Sequence, residues 1–162
     1  MGDVGLLLFS FAVAAPAVLV PWWLGRSRAE TGVPYWIKVN VFCGALVGFG
    51  TYFGTHYFFD LMGMHYAFGV EWFLSSDVVG RTPGRVPVFM YPLTQAYFVT
   101  YYVVLTVAWR GIRARLGGGL LVSVLSLFVL SYAMAFAETF FMASEVLADV
   151  FRYHDRARML SV

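Results

Sequence analysis

Four long stretches without Asp, Glu, Lys or Arg constrain this chain more than any other feature of its sequence. A helix that crosses a bilayer core of about 30 Å needs roughly 20 consecutive, mainly apolar residues. The uncharged stretches that reach this length are Val4–Gly25, Val39–Phe59, Val86–Trp109 and Gly117–Ala137, and we expect the last span to continue past Glu138 to about Ala143. Only 12% of the residues are charged, against about 25% in soluble domains. We therefore predict an all-α, polytopic membrane protein with about four transmembrane helices and a single domain over residues 1–162.

The charges between the predicted spans indicate an orientation. Basic residues are concentrated in the loops after the first and third spans, at Arg26, Arg28, Lys38, Arg110, Arg113 and Arg115. The positive-inside rule places these two loops in the cytoplasm and the N-terminus on the opposite side. We expect the middle loop, Asp60–Arg85, to be irregular, with a short interfacial helix around Val70–Leu74. The membrane would be the endoplasmic reticulum in a eukaryotic host and the inner membrane in a bacterial one.

Two ionisable side chains stand out in these apolar spans. His56 lies in the last turn of the second span, and Glu138 lies near the far end of the fourth. Ionisable groups inside a membrane are costly and mark functional sites by default. The predicted topology puts both near the non-cytoplasmic ends of their spans, with Gln95 of the third span at the same depth. Structural roles stay open, because His56 also fits an interfacial residue and Glu138 a side chain that reaches water.

An acid and a base inside an apolar, aromatic-walled cavity have the composition of a general acid–base pair. Phe, Tyr and Trp together make up 19% of the chain, and aromatic faces stabilise a nearby cation. The residues imply no metal: Cys43 is the only cysteine, and His56 is the only histidine within a span. A net charge of +2, without a long basic block, gives no indication of nucleic-acid binding.

Several short motifs resemble a known family when taken in order. They are Tyr35-Trp-Ile-Lys-Val-Asn40, Thr55-His-Tyr-Phe-Phe59 with Gly63, Val86-Pro87 with Leu93-Thr94 and Tyr101, Leu130-Ser-Tyr132 with Ala137-Glu-Thr139, and Asp155-Arg156 with Met159. Their order and spacing resemble the cycloeucalenol cycloisomerase family over about Pro34 to Met159. The chain departs from the family at Val88 and Gln95, where the family tends to have histidines, and Gly69–Arg85 looks like an insertion. Family members also continue past the element that Asp155-Arg156 resembles, so we expect this chain to be short relative to them.

The resemblance implies an isomerase of sterol biosynthesis that opens the 9β,19-cyclopropane ring of a cyclopropyl sterol, converting cycloeucalenol to obtusifoliol. This reaction needs a proton donor and a proton acceptor but no cofactor. We assign Glu138 as donor and His56 as acceptor, with the reverse assignment open. The candidate substrate-binding residues are Tyr52, Thr55, Tyr91, Thr94, Gln95 and Tyr101. The expected partners are the sterol and the lipid bilayer, and the alternative function is a non-catalytic membrane module that binds a sterol or another lipid.

Overall fold

Four long helical segments form the framework of the protein. The structure, a computed structural model, describes residues 2–25, 32–76 and 84–155. The segments are α1 (Asp3–Gly25), then α2 (Tyr35–Phe49) continued by a π-helical turn (Gly50–Gly54) and α3 (Thr55–Asp60), then α4 (Met90–Leu116) and α5 (Leu120–Met142). This arrangement confirms the predicted all-α, polytopic class.

Three of these segments are long and apolar enough to cross a membrane. Within the described residues they are Asp3–Gly25, Tyr35–Asp60 and Leu120–Met142. The remaining helix, α4, has 27 residues and carries basic side chains in its last turns. None of the residues of α5 is buried, and Phe128 on its surface is 72% exposed. A helix that is apolar on all sides is typical of one that contacts lipid.

Helix α4 lies at the centre of the bundle and packs against α1, α2 and α5. It is joined to α5 by only three residues, so the two helices are antiparallel neighbours. The turn begins at Gly117, which has a φ of 90°. Glycine tolerates this left-handed conformation because it has no Cβ. The Gly117–Gly119 turn therefore fixes which residues of α4 and α5 lie side by side.

Two small antiparallel sheets cover one end of the bundle. Strand β1 (Met64–Tyr66) pairs with β4 (Phe151–Tyr153), and β2 (Phe73–Ser76) pairs with β3 (Gly84–Pro87). The predicted short helix around Val70–Leu74 is wrong, because this segment is extended and leads into β2.

Apolar packing explains the extended conformation of this loop. Val70 is buried in a cluster with Val86, Phe89 and Met90, which begin the third predicted span. The carboxylate of Asp3 then holds the loop at the start of α1, because Asp3 Oδ1 accepts hydrogen bonds from the backbone N–H groups of Glu71 (3.0 Å) and Trp72 (2.8 Å). Contacts with distant parts of the chain thus decide the local structure.

Several residues used in the sequence analysis lie outside the described residues. They are Arg26 and Arg28 of the first loop and Arg156 and Met159 near the end of the chain, and residues 77–83 of the middle loop lie outside the described residues as well. The predicted orientation, which depends partly on the first loop, stays a prediction.

Candidate functional site

A cleft of about 430 Å³ lies between α3, α5 and β4. This volume falls within the range of about 300–1,000 Å³ that is usual for small-molecule sites. The described residues that line it are mainly aromatic or apolar: Tyr57, Phe58, Met62, Tyr132, Ala135, Phe136, Glu138, Thr139, Met142 and Tyr153. Glu138 supplies the only carboxyl group among them. The cleft thus combines apolar walls with one strong acid–base group.

One face of α5 provides most of the cleft wall. Its lining side chains recur at the three- and four-residue spacing of neighbours on a helix, from Tyr132 through Ala135 and Phe136 to Thr139 and Met142. The Thr139 hydroxyl is occupied within the helix, since it donates to the carbonyl of Ala135 at 2.9 Å. Glu138 therefore projects from a surface that is otherwise mainly apolar.

Tyr101 of α4 lies next to the Glu138 side chain and interacts with it electrostatically, without lining the cleft itself. The ring of Tyr101 lies among other aromatic rings of α4, with its centroid 4.8 Å from that of Tyr97 and 6.5 Å from that of Phe98. Electrostatic interactions in such low-dielectric surroundings are stronger than in water. The structure therefore brings together two of the sequence-predicted residues, Glu138 and Tyr101.

His56 is nearly fully buried, with 3% of its surface exposed, and it is not among the residues that line the cleft. The π-helical turn at Gly50–Gly54 precedes it, and such turns are frequent at functional sites. After this turn Thr55 and His56 face inward, whereas Tyr57 and Phe58 are exposed and line the cleft. His56 and Glu138 consequently do not share the cleft wall in this structure.

Thr55 belongs to the same buried surface as His56. Its hydroxyl donates to the carbonyl of Thr51 one turn earlier. Its side chain also lies next to Tyr66 of β1, and burial raises the pKa of Tyr66 to about 12. The ring of Tyr66 also contacts that of Phe59 on α3, so the end of the second span packs against the β1–β4 sheet.

Gln95 lies at a different depth from the one predicted. Its Nε2 donates to the backbone carbonyl of Asn40 at 3.1 Å, and a Cβ on Gly44 would lie 3.6 Å from its Oε1. Gly44 precedes His56 by twelve residues, which corresponds to about 18 Å along a helix. The predicted alignment of Gln95 with His56 is therefore wrong. The reason is that the first turns of α4 pack beside α2 rather than α3.

The remaining predicted substrate-binding residues also lie away from the cleft. The Tyr52 hydroxyl donates to the carbonyl of Ser75 at 3.0 Å, which ties the π-helical turn to β2. Tyr91 packs against the buried cluster of the loop, and its hydroxyl is buried. Thr94 is half-buried on α4. None of these three residues is among those that line the cleft.

Sequence reasoning missed most of the cleft wall. The aromatic residues that it did not select are Tyr57, Phe58, Tyr132, Phe136 and Tyr153. A signal for two of them was present, because Tyr132 and Phe136 share a helical face with Thr139. No comparable signal exists for Tyr153, which reaches the cleft only through the pairing of β4 with β1.

Comparison with known proteins supports the predicted resemblance. The chain is 28% identical over 165 residues to a cycloeucalenol cycloisomerase of Arabidopsis thaliana, an alignment that covers 96% of this chain and 54% of the relative. The chain thus spans about half the length of the curated relative that it matches. No family model and no solved structure matches. The chain is a distant homologue of a cycloeucalenol cycloisomerase, as the sequence motifs predict.

Proposed function

We propose that this distant homologue of cycloeucalenol cycloisomerase is a membrane-bound isomerase that opens the 9β,19-cyclopropane ring of a cyclopropyl sterol, as in the conversion of cycloeucalenol to obtusifoliol. Homology along 96% of the chain supports the class of reaction. The observation that carries the proposal is the position of Glu138, a carboxyl group next to Tyr101 in a cleft with aromatic walls. A flat, largely apolar sterol matches such a cleft.

The reaction requires two proton transfers, a proton donation in its first step and a proton removal in its last. Glu138 in its acid form donates a proton to the cyclopropane methylene, and the electron pair of the breaking ring bond forms the new C–H bond. The positive charge that remains at C9 is removed when C8 loses a proton and a C8–C9 double bond forms. Protons and electrons balance, so the isomerisation needs no oxidant or reductant. A positioned general acid contributes about 10²–10⁴-fold to the rate of such a step.

The walls of the cleft suit the cationic intermediate. Rings of Tyr57, Phe58 and Phe136 line the space around Glu138. A cation over an aromatic face gains about 2 kcal/mol when both are removed from water. The same apolar walls keep water from trapping the intermediate. The tyrosines that line the cleft, including Tyr132, supply the candidate hydroxyl groups for a hydrogen bond to the sterol 3-hydroxyl.

The proton acceptor is a separate part of the proposal. Assignment of His56 to this role stays a prediction, since His56 does not line the cleft. The carboxylate left on Glu138 after proton donation is a second group that is able to remove the proton from C8. Substitution of His56, argued in the Discussion, separates the two assignments.

Expression in a host that lacks its own isomerase tests the proposal directly. Sterol profiles of membranes from this host, supplied with cycloeucalenol, should show obtusifoliol when the chain is present. The Glu138→Gln variant should lose this product, because an amide does not donate the required proton. Glu145→Gln is the matched control, since Glu145 lies a few residues further along in a short 3₁₀ turn and does not line the cleft. Unchanged substrate with well-folded wild-type protein would reject the proposal.

One observation favours a non-catalytic sterol- or lipid-binding module as a second candidate. The helix that supplies most of the cleft wall, α5, has no buried residue, so the cleft is open on its outer side. A photoreactive sterol that labels the wild type at the cleft, without turnover in the same membranes, would establish binding alone. Labelling that competes with cycloeucalenol and is accompanied by product formation would support the enzyme.

A further inference from the structure

Two histidines far apart in sequence face each other outside the cleft. The Nε2 atoms of His65 and His154 are 2.8 Å apart, although 89 positions separate the residues. Their rings are nearly perpendicular, with an interplanar angle of 86° and centroids 4.6 Å apart. Both side chains are exposed to solvent. The reaction proposed above uses neither residue.

The β1–β4 sheet places these rings together. In its register His65 lies opposite Arg152, so His154 is the diagonal neighbour of His65 on the same face of the sheet. The N–H of His154 also donates to the carbonyl of Gly63 at 3.0 Å. A Cβ on Gly63 would lie 3.3 Å from the Cβ of His154, and Gly63 has a φ of 61°. Glycine at this position permits both the left-handed backbone and the close approach of the His154 side chain.

We propose that His65 and His154 form a binding site for a divalent transition-metal ion on the outer face of the β1–β4 sheet. Imidazole nitrogens are good ligands for Zn²⁺, Cu²⁺ and Ni²⁺. Metal–nitrogen distances of about 2.0–2.1 Å with tetrahedral geometry place two ligand atoms about 3.3 Å apart. The two Nε2 atoms need to separate by only about 0.5 Å to reach this arrangement. When the metal binds, the Nε2 proton that now joins the rings is transferred through solvent to Nδ1 of the same ring, so that each neutral ring coordinates through Nε2 and carries its proton on Nδ1.

The ion completes its coordination with water at this site. No group of three or more His, Cys, Asp or Glu side chains suited to a metal occurs in the described part of the chain. Two protein ligands and open positions indicate moderate affinity and exchange with the solvent rather than a permanently bound ion. The stacked ring of Phe59, with its centroid 6.1 Å from that of His65, supports one ligand from behind. Arg152 is the nearest cation on the same strand, and its charge opposes metal binding.

Metal binding would stabilise the part of the cleft wall that β4 and the segment before β1 supply. Tyr153 lines the cleft and directly precedes His154, while Met62 lines it just before β1. An ion bound to both histidines links the segment after α3 to the segment after α5. The structural consequence is a stiffer β1–β4 sheet, which is measurable as stability without any assay of turnover.

Calorimetric titration of the full chain in detergent tests the proposal, with a purification tag that contains no histidine. We expect the wild type to bind one equivalent of Cu²⁺ and to bind Zn²⁺ more weakly, in the Irving–Williams order. His65→Asn and His154→Asn should each lower the affinity at least tenfold, since the loss of mere supporting groups already costs about 10–100-fold. Arg152→Gln is the control on the same face and should retain binding.

A spectroscopic measurement on the wild type guards against variants that fail to fold. Electron paramagnetic resonance of the Cu²⁺ complex should show hyperfine coupling to two equivalent imidazole nitrogens. Zn²⁺ should also raise the unfolding temperature of the wild type but not that of either Asn variant. Absence of a stoichiometric Cu²⁺ site, a spectrum without two imidazole nitrogens, or equal affinity in a folded Asn variant would each overturn the proposal.

Discussion

Glu138 on α5 and Tyr101 on α4 lie next to each other across the contact between these two helices. Glu138 lines the cleft, whereas Tyr101 does not. The tight turn at Gly117–Gly119 aligns the two helices so that residues this far from the turn meet. The carboxyl group is therefore held by a side chain that leaves the cleft free for a ligand.

Tyr101→Phe should lower kcat while leaving KM almost unchanged. Without the hydroxyl, the Glu138 carboxyl group loses a fixed orientation, and a misplacement of about 1 Å costs up to 100-fold in rate. We expect a decrease in kcat of roughly 10–100-fold on the premise of the proposed isomerase activity. Steady-state kinetics in membranes measures both constants.

The neighbouring Tyr102→Phe is the control for this substitution. The Tyr102 hydroxyl bonds that of Tyr35 at the other end of α2 and does not reach Glu138. It should therefore leave kcat unchanged. A Tyr101→Phe variant with wild-type kcat would show that Tyr101 does not position the acid, and a rise in KM alone would assign it to substrate binding.

His56→Gln should act mainly on stability. His56 is 3% exposed and is not among the residues that line the cleft, and an altered buried polar group costs about 1–3 kcal/mol of the free energy of unfolding. We expect turnover per folded molecule to stay unchanged. Glu145→Gln, at an exposed position that does not line the cleft, is the control and should alter neither quantity. A His56→Gln variant of normal stability but without turnover would instead support His56 as the proton acceptor.

The helices were predictable because their signal is local. Each uncharged stretch marks a helix to within a few residues, and the ends shift where a neighbouring element competes. The third span was predicted from Val86, but Val86 and Pro87 belong to β3, so α4 starts at Met90. At its other end, α4 continues past Trp109 to Leu116, because long arginine side chains can extend from a helix to the membrane surface.

The site was only partly predictable because it depends on registers between distant elements. Glu138 stands out as a carboxyl group in an apolar span, and it does line the cleft. Gln95 stands out as a polar side chain in an apolar span, yet it bonds Asn40 of α2 and lies away from the cleft. Its position depends on the offset between α2 and α4, which neither helix encodes alone. The strand pairing that brings Tyr153 to the cleft joins residues almost ninety positions apart.

Asn40→Ala should destabilise the bundle more than a substitution that affects a single helix. Asn40 Nδ2 donates to the carbonyl of Ala17 on α1 at 3.1 Å, and Asn40 Oδ1 accepts from Nε2 of Gln95 on α4 at 3.4 Å. Interhelical hydrogen bonds in membranes contribute about 0.6 kcal/mol on average and up to about 1.7 kcal/mol. We therefore expect a loss of about 1–2 kcal/mol in the free energy of unfolding in mixed micelles.

Thr100→Val is the control for Asn40→Ala, because the Thr100 hydroxyl bonds only within its own helix, to the carbonyl of Ala96 at 2.8 Å. It should change the free energy of unfolding by less than Asn40→Ala. Equal losses in the two variants would mean that the link between α1, α2 and α4 contributes nothing specific to stability.

Tyr66→Phe should weaken the loss of stability at alkaline pH. Burial raises the pKa of Tyr66 to about 12 in the folded protein, whereas an unfolded tyrosine has a pKa of about 10. Between these two values the unfolded chain has released the phenolic proton and the folded chain retains it, so stability falls as the pH rises. The slope from this one group approaches about 1.4 kcal/mol per pH unit.

Unfolding followed by circular dichroism from pH 9 to pH 12 should show a shallower decline in Tyr66→Phe than in the wild type, whereas Tyr132→Phe, at an exposed position, should follow the wild-type curve. Parallel curves for the wild type and Tyr66→Phe would show that Tyr66 is not the group that resists ionisation.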